Sequence, residues 1–446
     1  MTRTIAAALL AASALIMPAA SIAHDNMLGM AAPDMAAQGT TGPTVTVIHA
    51  GRLIADAATG ISGPATITVT DGRISAIAQG IQPAPEGATV VDMSTRTVMP
   101  GLIDMHVHLT GDPSGEFWRE AVDPDEWGVI IGVRNAERTV RAGFTTVREA
   151  GSARETAFVL RRATAAGIVP GPRIVAAGPA LSIVGGHGDI TGFRREVLEA
   201  LPTGFACTGP VECALRVRQA SAAGSDVIKI TATGGVLSQQ GRGLEAHFTP
   251  EEMASIASTA QRLGLRVMAH AHGARGIQEA AEAGIATIDH GTFMDEAAAR
   301  AMASRGTYLV PTLRALTGVR DGLGRGIYTP TVEAKIRETL EVLGNNVRLA
   351  RRFGVPVAFG TDAGVFPHGL NAQEFRLLTD AGMTPREAVA SATTVAARAL
   401  GMENEIGRIA VGYSADIIAV DGDPLSDVST LEAVRWVMVR GRAVPQ

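Results

Sequence analysis

Lysine is the scarcest charged residue in this 446-residue chain, because only Lys229 and Lys335 are lysines among 39 basic residues. Cysteine is equally rare, and two cysteines exclude a small scaffold held together by many disulfides. An excess of positive charge is also missing. The 44 acidic residues give a formal net charge of −5, so nucleic acid is not an expected partner. With 46% apolar and 19% charged residues, the chain has enough apolar surface for a large folded core.

A long apolar run is missing as well. The apolar stretch from Ile5 to Met17 follows Arg3 and precedes small residues that end at Ala23. A run of about 13 residues is too short to cross roughly 30 Å of hydrocarbon, which excludes a stable membrane anchor here. The pattern predicts a signal peptide over residues 1–23 and a periplasmic or secreted protein. Residues 24–43 lack periodicity and are expected to form a flexible lead-in.

The two cysteines, Cys207 and Cys213, lie six positions apart around Gly209-Pro210. In an oxidising compartment, two close cysteines that flank a turn favour a disulfide. The alternative is a pair of thiolate ligands for a soft metal, although the chain offers no third thiolate for such a site.

The hydrophobic pattern predicts an α/β fold with two parts. Short β-type segments fill residues 44–97 and 405–446, and they predict one composite β-sandwich built from both chain ends. Residues 98–404 alternate strands with helices, including helices at Glu251–Leu263 and Ala274–Ala283. Eight such strands predict a (β/α)8 barrel. The expected strands are Val98–Asp104, Thr145–Glu149, Arg173–Ala177, Val227–Thr231, Arg266–Ala269, Thr287–Asp289, Tyr308–Pro311 and Val357–Gly360.

Histidines and one aspartate follow several of these strands directly. His106 and His108 stand two apart, so the strand period puts both imidazoles on one face. His270, His290 and Asp362 each come at the carboxyl end of another strand, where barrel enzymes build their sites. Such residues in one place are typical of a metal site.

Lys229 lies on an apolar strand between those ligand-type residues. An ammonium group beside divalent cations is repelled and costly to desolvate, whereas a neutral amine reacts with carbon dioxide or bicarbonate to give a carbamate that can bridge two metals. Arginine stays protonated and cannot do this. The alternative is an ordinary lysine paired with Asp226 or Glu149. Lys335, on a predicted helix, is expected to be a surface residue.

The segments Pro100–His108 and Gly360–Gly364 make the chain similar to the amidohydrolase superfamily, from Thr44 onward. The resemblance implies that His106, His108 and Asp362 hold one metal ion, that His270 and His290 hold a second, and that carbamylated Lys229 bridges them. Two divalent ions are expected, zinc first, with manganese or cobalt open. Such a pair supplies hydroxide and polarises a carbonyl, and Asp362 is expected to pass the proton to the leaving amine.

The motifs His270-Ala271-His272-Gly273 and Asp289-His290-Gly291-Thr292 resemble those of exported prolidase-like amidohydrolases, a branch that includes ochratoxin-degrading enzymes. The resemblance implies release of a C-terminal amino acid from Xaa-Pro-type dipeptides, N-acyl amino acids or ochratoxin-like amides. It favours His270 over His272 as the ligand, and a homo-oligomer is expected. The alternatives are a deaminase or a lactone or cyclic amide hydrolase on the same barrel, and a non-enzymatic binding protein.

Candidates for substrate contact carry less sequence signal. His187, in a glycine-rich loop, is the expected donor to the substrate carbonyl or oxyanion. His272 and His368 are expected near the substrate. Arg314 or Arg242 is the candidate clamp for its carboxylate, and a segment with Tyr328 is the candidate lid.

Overall fold

The structure is a computed structural model that describes residues 43–112, 118–119, 122–190, 192–201, 205–239 and 243–445. The predicted signal peptide, nearly all of the lead-in and Arg242 lie outside the described residues. No helix in these ranges is long and apolar enough to cross a membrane.

The structure contains sixteen strands among the described residues. They are β1 (Val45–Leu53), β2 (Ala65–Thr70), β3 (Arg73–Gln79), β4 (Thr89–Pro100), β5 (Leu102–Val107), β6 (Phe144–Glu149), β7 (Arg173–Ala176), β8 (Ser182–Ile183), β9 (Ala206–Cys207), β10 (Val227–Thr231), β11 (Arg266–Ala271), β12 (Thr287–His290), β13 (Tyr308–Val310), β14 (Ile417–Val420), β15 (Trp436–Val439) and β16 (Arg442–Ala443). The longest, β1 and β4, lie in the first sixty described positions.

The α-helices lie between β5 and β14. They are α1 (Asp125–Arg141), α2 (Thr156–Ala165), α3 (Arg195–Ala200), α4 (Pro210–Ala223), α5 (Pro250–Arg262), α6 (Ala274–Glu282), α7 (Glu296–Arg305), α8 (Leu313–Arg320), α9 (Pro330–Glu341), α10 (Asn345–Phe353), α11 (Gln373–Asp380), α12 (Pro385–Ala390) and α13 (Ala396–Leu400). A π-helical turn, Ser391–Val395, joins α12 to α13, and a 3₁₀ turn covers Val428–Glu432. The predicted helices α5 and α6 are confirmed, and α5 begins with a capping box of Thr249 and Glu252.

Both chain ends build one sheet domain, as the sequence predicts. Its seven strands have the order β16-β15-β14-β4-β1-β2-β3, so the described strands share one hydrogen-bonded sheet. Ile48 and Ile67 from the first strands pack with Ile417 and Met438 from the last ones in a buried cluster. This shared core joins segments more than three hundred residues apart.

The barrel consists of parallel strands. β5-β6-β7 and β10-β11-β12-β13 form two parallel groups, and the amide of Asp226 donates to the carbonyl of Ala176 (2.8 Å) between them. Residues 357–363 supply the eighth position, because Val357 bridges to Leu309 of β13 and Ala363 bridges to Val107 of β5. The α/β barrel with a sheet domain is therefore confirmed.

The structure corrects the limits of the first barrel strand. The sequence predicts one strand over Val98–Asp104, but β4 ends at Pro100 in the sheet domain and β5 begins at Leu102 in the barrel. Gly101 separates them, and a Cβ at this position would lie 2.1 Å from Oγ1 of Thr145 on β6. The glycine thus allows the chain to pass closely against the barrel as it changes from one sheet to the other.

The predicted disulfide is present. Cys207 and Cys213 are bonded, with their Cα atoms 5.1 Å apart. Cys207 ends β9, and Cys213 lies in the first turn of α4. β8 precedes the His187 loop and pairs with β9, which follows it. The disulfide therefore attaches this strand pair to the barrel helix α4.

Candidate metal centre

Three ligand-type side chains meet where the carboxyl end of β5 faces the eighth barrel position. Single ligand atoms of His106, His108 and Asp362 all lie within 4.8 Å of one another. Oδ1 of Asp362 is 3.4 Å from Nε2 of His106 and 3.4 Å from Nε2 of His108. This buried Oδ1 has no hydrogen-bond partner in the part of the chain that the structure describes. Two imidazole nitrogens converging on an unsatisfied carboxylate oxygen are the donor set that a divalent metal ion takes, so the residues fit such an ion.

The backbone holds this group in a strained conformation. Asp362 has a φ of 61°, a left-handed value that is costly for a residue other than glycine. Its amide donates to the carbonyl of His106 (2.7 Å), and the amide of His108 donates to the carbonyl of Ala363 (2.7 Å). His290 and Thr312, at neighbouring strand ends, also have positive φ values of 73° and 50°. Strain of this kind persists where the surrounding structure fixes it, and it clusters at functional sites.

A second group consists of His270, His272 and His290, whose ligand atoms also lie within 4.8 Å of one another. Nδ1 of His272 contacts Oγ1 of Thr292 (2.8 Å), and Nδ1 of His290 contacts Oγ1 of Thr312 (2.6 Å). Each hydrogen bond leaves Nε2 of its ring for a ligand. His272, which the sequence analysis expects near the substrate, is therefore a member of this group together with His270.

The two groups are adjacent. The ring centroids of His106 and His290 are 5.0 Å apart, and those of His270 and His290 are 4.6 Å apart. Burial lowers the pKa of every one of these imidazoles, and it lowers that of His108 to about 4. The rings are therefore held neutral at physiological pH, and neutral imidazole is the form that binds a metal ion.

Lys229 lies on β10 and is 4% exposed. Burial lowers the pKa of its ammonium group, while the carboxylates of Asp289 and Asp362 act in the opposite direction. Asp226 is not its partner, because that carboxylate binds Arg161 and the amide of Ala176. The other predicted partner, Glu149, is fully buried and accepts the amide of Leu109 (2.6 Å) through Oε2. Burial raises the pKa of Glu149 to about 8.

A buried pair that the sequence analysis missed orients His106. Oδ2 of Asp289 lies 2.7 Å from Nδ1 of His106, and Nη2 of Arg148 donates to both carboxylate oxygens at 3.0 Å. Nη1 of Arg148 also donates to Oγ1 of Thr287 (3.0 Å). A carboxylate on the far nitrogen fixes the tautomer of a ligand imidazole. The period of two along β12 puts Thr287 and Asp289 on one face, which is the signal that would have found this pair.

The structure brings His187 to the second histidine group. Its ring centroid is 4.3 Å from that of His270, and its Nδ1 lies 2.7 Å from Oγ of Ser238. A Cβ on Gly235 would lie 2.2–2.5 Å from the atoms of this ring, so a residue with a side chain does not fit there without displacing it. The loop after β10 therefore makes the space that His187 occupies.

The prediction that His368 contacts substrate is wrong. His368 is buried, its Nδ1 lies 2.8 Å from Oγ1 of Thr139, and its Nε2 donates to the carbonyl of His108 (3.1 Å). Both ring nitrogens are thus used inside the protein. His368 supports the backbone of His108 and has no nitrogen left for a ligand.

Arg314 and Tyr328 have different surroundings. Nε of Arg314 donates to Gln373 (2.8 Å), Nη1 donates to Thr317 (3.1 Å), and the guanidinium lies 4.6 Å from the ring centre of Phe366. Tyr328 is partly buried and packs against an apolar cluster that includes Val236 and Val332. Arg314 is thus held in one orientation beside the carboxyl ends of the last barrel strands.

The expectation that Lys335 is a surface residue is also wrong. Lys335 is 6% exposed, and its Nζ donates to the carbonyls of Gly235 (2.9 Å) and Ser238 (2.7 Å). The helical pattern of α9 did not reveal this, because the acceptors are backbone carbonyls about one hundred residues away. Burial lowers the pKa of Lys335.

A cluster of candidate metal ligands at the carboxyl ends of parallel barrel strands is typical of metal-dependent enzymes, and comparison with known proteins identifies the family. The profile of the Amidohydrolase family matches residues 97–444, and the chain belongs to this family. It is a hydrolase that acts on carbon–nitrogen bonds.

Individual proteins show which members of the family this chain resembles. The chain is 31% identical to ochratoxinase of Aspergillus niger over 361 residues, which cover 76% of this chain and 73% of that protein. A crystal structure of a Xaa-Pro dipeptidase with bound methionine is 36% identical, has a TM-score of 0.83, and matches 90% of this chain and 99% of its own. A prolidase complexed with N-methylphosphonate-L-proline is 32% identical with a TM-score of 0.83, at the same coverage of both chains.

Proposed function

We propose that this amidohydrolase cleaves the amide bond that precedes a C-terminal amino acid, using two divalent metal ions. The proposed substrates are Xaa-Pro-type dipeptides, N-acyl amino acids and ochratoxin-like amides. The observation that carries the metal centre is Oδ1 of Asp362, which is buried without a hydrogen-bond partner among the described residues and lies 3.4 Å from two imidazole nitrogens. The names of the ochratoxinase, the Xaa-Pro dipeptidase and the prolidase support the choice of substrate.

The ligand assignment follows the two clusters. His106, His108 and Asp362 would hold one ion, and His270 and His290 would hold the other, with His272 as a further donor within reach. Lys229, as a carbamate, would bridge the two ions, and zinc is the proposed metal. When bound, two such ions lower the pKa of a water molecule and polarise the substrate carbonyl.

The protein residues then have separate tasks. Asp362 accepts the proton of the attacking water and passes it to the leaving amine, a role that requires the carboxylate at the centre of the site. His187 donates from Nε2 to the oxygen of the scissile carbonyl, because its Nδ1 is engaged with Ser238. Since Nε and Nη1 of Arg314 bind Gln373 and Thr317, we assign its Nη2 to the substrate carboxylate.

The proposal is tested with the purified chain, loaded with Zn²⁺ in the presence of bicarbonate. It is assayed for amino-acid release from Xaa-Pro dipeptides, N-acetyl amino acids and an aryl-acyl phenylalanine, and for ammonia release or lactone opening as the alternative activities. We expect amino-acid release, two metal ions per chain, and a mass increase of one carbon dioxide on the intact protein under native conditions, which is lost on denaturation.

The test variant is Lys229→Arg, and its control is Arg337→Lys, at an exposed cation of α9 that pairs with Glu333 and should keep metal and activity. Lys229→Arg should lose metal and activity together, since a guanidinium forms no carbamate. Retained metal and activity in Lys229→Arg would overturn the bridging role. Ammonia release or lactone opening without amino-acid release would favour the alternative activities, a deaminase or a lactone hydrolase.

We also propose that the protein is exported. The leading segment has the pattern of a cleaved signal peptide, and the buried Cys207–Cys213 disulfide is typical of an oxidising compartment. Expression of the full chain with cell fractionation and N-terminal sequencing tests this. A product that begins at His24 outside the cytoplasm is expected, and an intact cytoplasmic chain would contradict export.

A further inference from the structure

Helix α9 packs against the loop after β10, and this loop contains Gly235 and Ser238, which lie beside His187. The loop after β10 contains a turn in which the amide of Ser238 donates to the carbonyl of Gly235 (3.3 Å). Lys335 of α9 donates to both ends of this turn, the carbonyl of Gly235 at 2.9 Å and that of Ser238 at 2.7 Å. The ammonium group thus closes the turn from the outside.

The same helix also packs on the apolar side of the turn. Val236, at the tip, belongs to one buried cluster with Val332 and Ile336 of α9, and Leu237 packs against that cluster. Val332 and Ile336 lie one helical turn apart, on either side of Lys335. One face of α9 therefore holds the turn by apolar contact and by two charge-assisted hydrogen bonds.

The two residues that Lys335 binds both adjoin His187. Ser238 offers Oγ to Nδ1 of His187 at 2.7 Å, and Gly235 leaves the space that the imidazole fills. A shift of either residue moves the hydrogen-bond partner or the wall of the His187 ring. The ring in turn lies 4.3 Å from that of His270.

From this arrangement we propose that Lys335 is a positioning residue for His187. It fixes the Gly235–Ser238 turn and thereby holds the imidazole where it donates to the substrate carbonyl. The inference rests on the proposed function, because it takes His187 as that donor. A compact ammonium with three N–H donors suits two carbonyls at the ends of one turn, whereas the planar fork of arginine does not.

The cost of this device is a buried cation. An ammonium group that leaves water loses hydration, and two carbonyl oxygens replace only part of it. Apolar contacts among Val236, Val332 and Ile336 already attach the tip of the turn to α9, so the ammonium adds the fixed direction of two hydrogen bonds to that packing. The charged solution indicates that the exact position of the turn matters for the site.

The first test measures whether the two hydrogen bonds of Lys335 affect the catalytic step or substrate binding. Lys335→Met keeps the length and apolar stem of the side chain but removes both hydrogen bonds. Arg337→Met is the matched control, because Arg337 is an exposed cation on the same helix that pairs with Glu333. We expect Lys335→Met to lower kcat at least tenfold with KM changed less than threefold, and Arg337→Met to leave both constants unchanged.

The second test is a double-mutant cycle with His187→Ala. If Lys335 acts through His187, Lys335→Met lowers kcat less than twofold when His187 is absent. Ser238→Ala, which removes only the hydroxyl, should lower kcat in wild type and have little effect in the His187→Ala background. An equal fold-loss for Lys335→Met in both backgrounds would overturn the inference.

A third readout does not need turnover. Amide hydrogen exchange over residues 233–239 should be at least tenfold faster in Lys335→Met than in Arg337→Met, since the turn loses two of its bonds. Unchanged exchange would overturn the inference even if the enzyme is active. Faster exchange in a protein without amidase activity would instead leave the Lys335 contact standing and refute the proposed function.

Discussion

His106 depends on a buried carboxylate that the sequence analysis missed. Asp289 binds its Nδ1 at 2.7 Å, and Arg148 neutralises Asp289 with bonds of 3.0 Å to both carboxylate oxygens. Arg148 and Asp289 are buried, so their charges act in a medium where pairing is strong. This arrangement leaves Nε2 of His106 to face the oxygen of Asp362.

Asp289→Asn is expected to weaken metal binding by about 10- to 100-fold, because an amide holds the His106 tautomer less firmly than a carboxylate and leaves Arg148 without its counter-charge. Metal titration of the metal-free protein measures this. Asp295→Asn is the control, since Asp295 caps α7 with its side chain and asparagine caps equally well. Equal metal affinity in Asp289→Asn and wild type would contradict the role.

At the scale of single elements, the site is assembled from the ends of strands and from the loops that follow them. β5, β11 and β12 carry the histidines, β10 carries Lys229, and the eighth position carries Asp362. Parallel strands in a barrel end on one side, which is why residues far apart in sequence meet there. The loop after β10 then places His187, through Gly235 and Ser238.

Gly235→Ala should reduce kcat strongly while the protein remains folded. The added Cβ would lie 2.2–2.5 Å from the imidazole of His187, so the ring has to leave its position. Loss of one oxyanion donor costs about 10²–10³ in kcat. Steady-state kinetics and thermal unfolding measure the two effects. Gly63→Ala, where nothing lies within 4 Å of an added Cβ, is the matched control.

At the scale of the whole molecule, the sheet domain and the barrel are one continuous construction. β4 pairs with β1 and β14 in the sheet, and Gly101 leads directly into β5, at whose end lie the candidate ligands His106 and His108. His368, near the eighth barrel position, then reaches back to the carbonyl of His108. The metal site is thus attached to the fold through backbone contacts on several sides.

Acid should destabilise the metal-free protein through His368. Burial lowers the pKa of His368 to about 4, whereas an imidazole in the unfolded chain titrates near 6.5. The unfolded state therefore binds a proton first as the pH falls. The stability from the neutral ring is present above pH 6.5 and is lost as the pH falls towards 4, on the order of 3 kcal/mol in total.

Urea unfolding of metal-free wild type and His368→Gln at several pH values between 7.5 and 4.5 measures this loss. Glutamine keeps a donor for the carbonyl of His108 but does not titrate, so its acid-dependent loss should be smaller. Parallel curves for the two proteins would show that His368 does not contribute.

The fold and the ligand residues are largely readable from the sequence. The period of two along short apolar strands, followed directly by His106, His108, His270, His290 and Asp362, depends only on local pattern, and so does the two-cysteine turn. The supporting contacts are not readable in this way. The partners of His368 and Lys335 are backbone carbonyls, which carry no residue identity and are fixed only when distant segments pack.

The sequence alone therefore determined the barrel, the two-ended sheet domain and the candidate metal ligands, because each follows from local periodicity and residue chemistry. Only the tertiary structure decided that His272 lies with His270 and His290, that Asp289 orients His106, and that Lys335 is buried. The two lysines, which stand out by their rarity, differ in how far the sequence predicts their surroundings. Lys229 is on a barrel strand beside the candidate ligands, as its apolar segment predicts, whereas only long-range packing sets the contacts of Lys335 with the turn after β10.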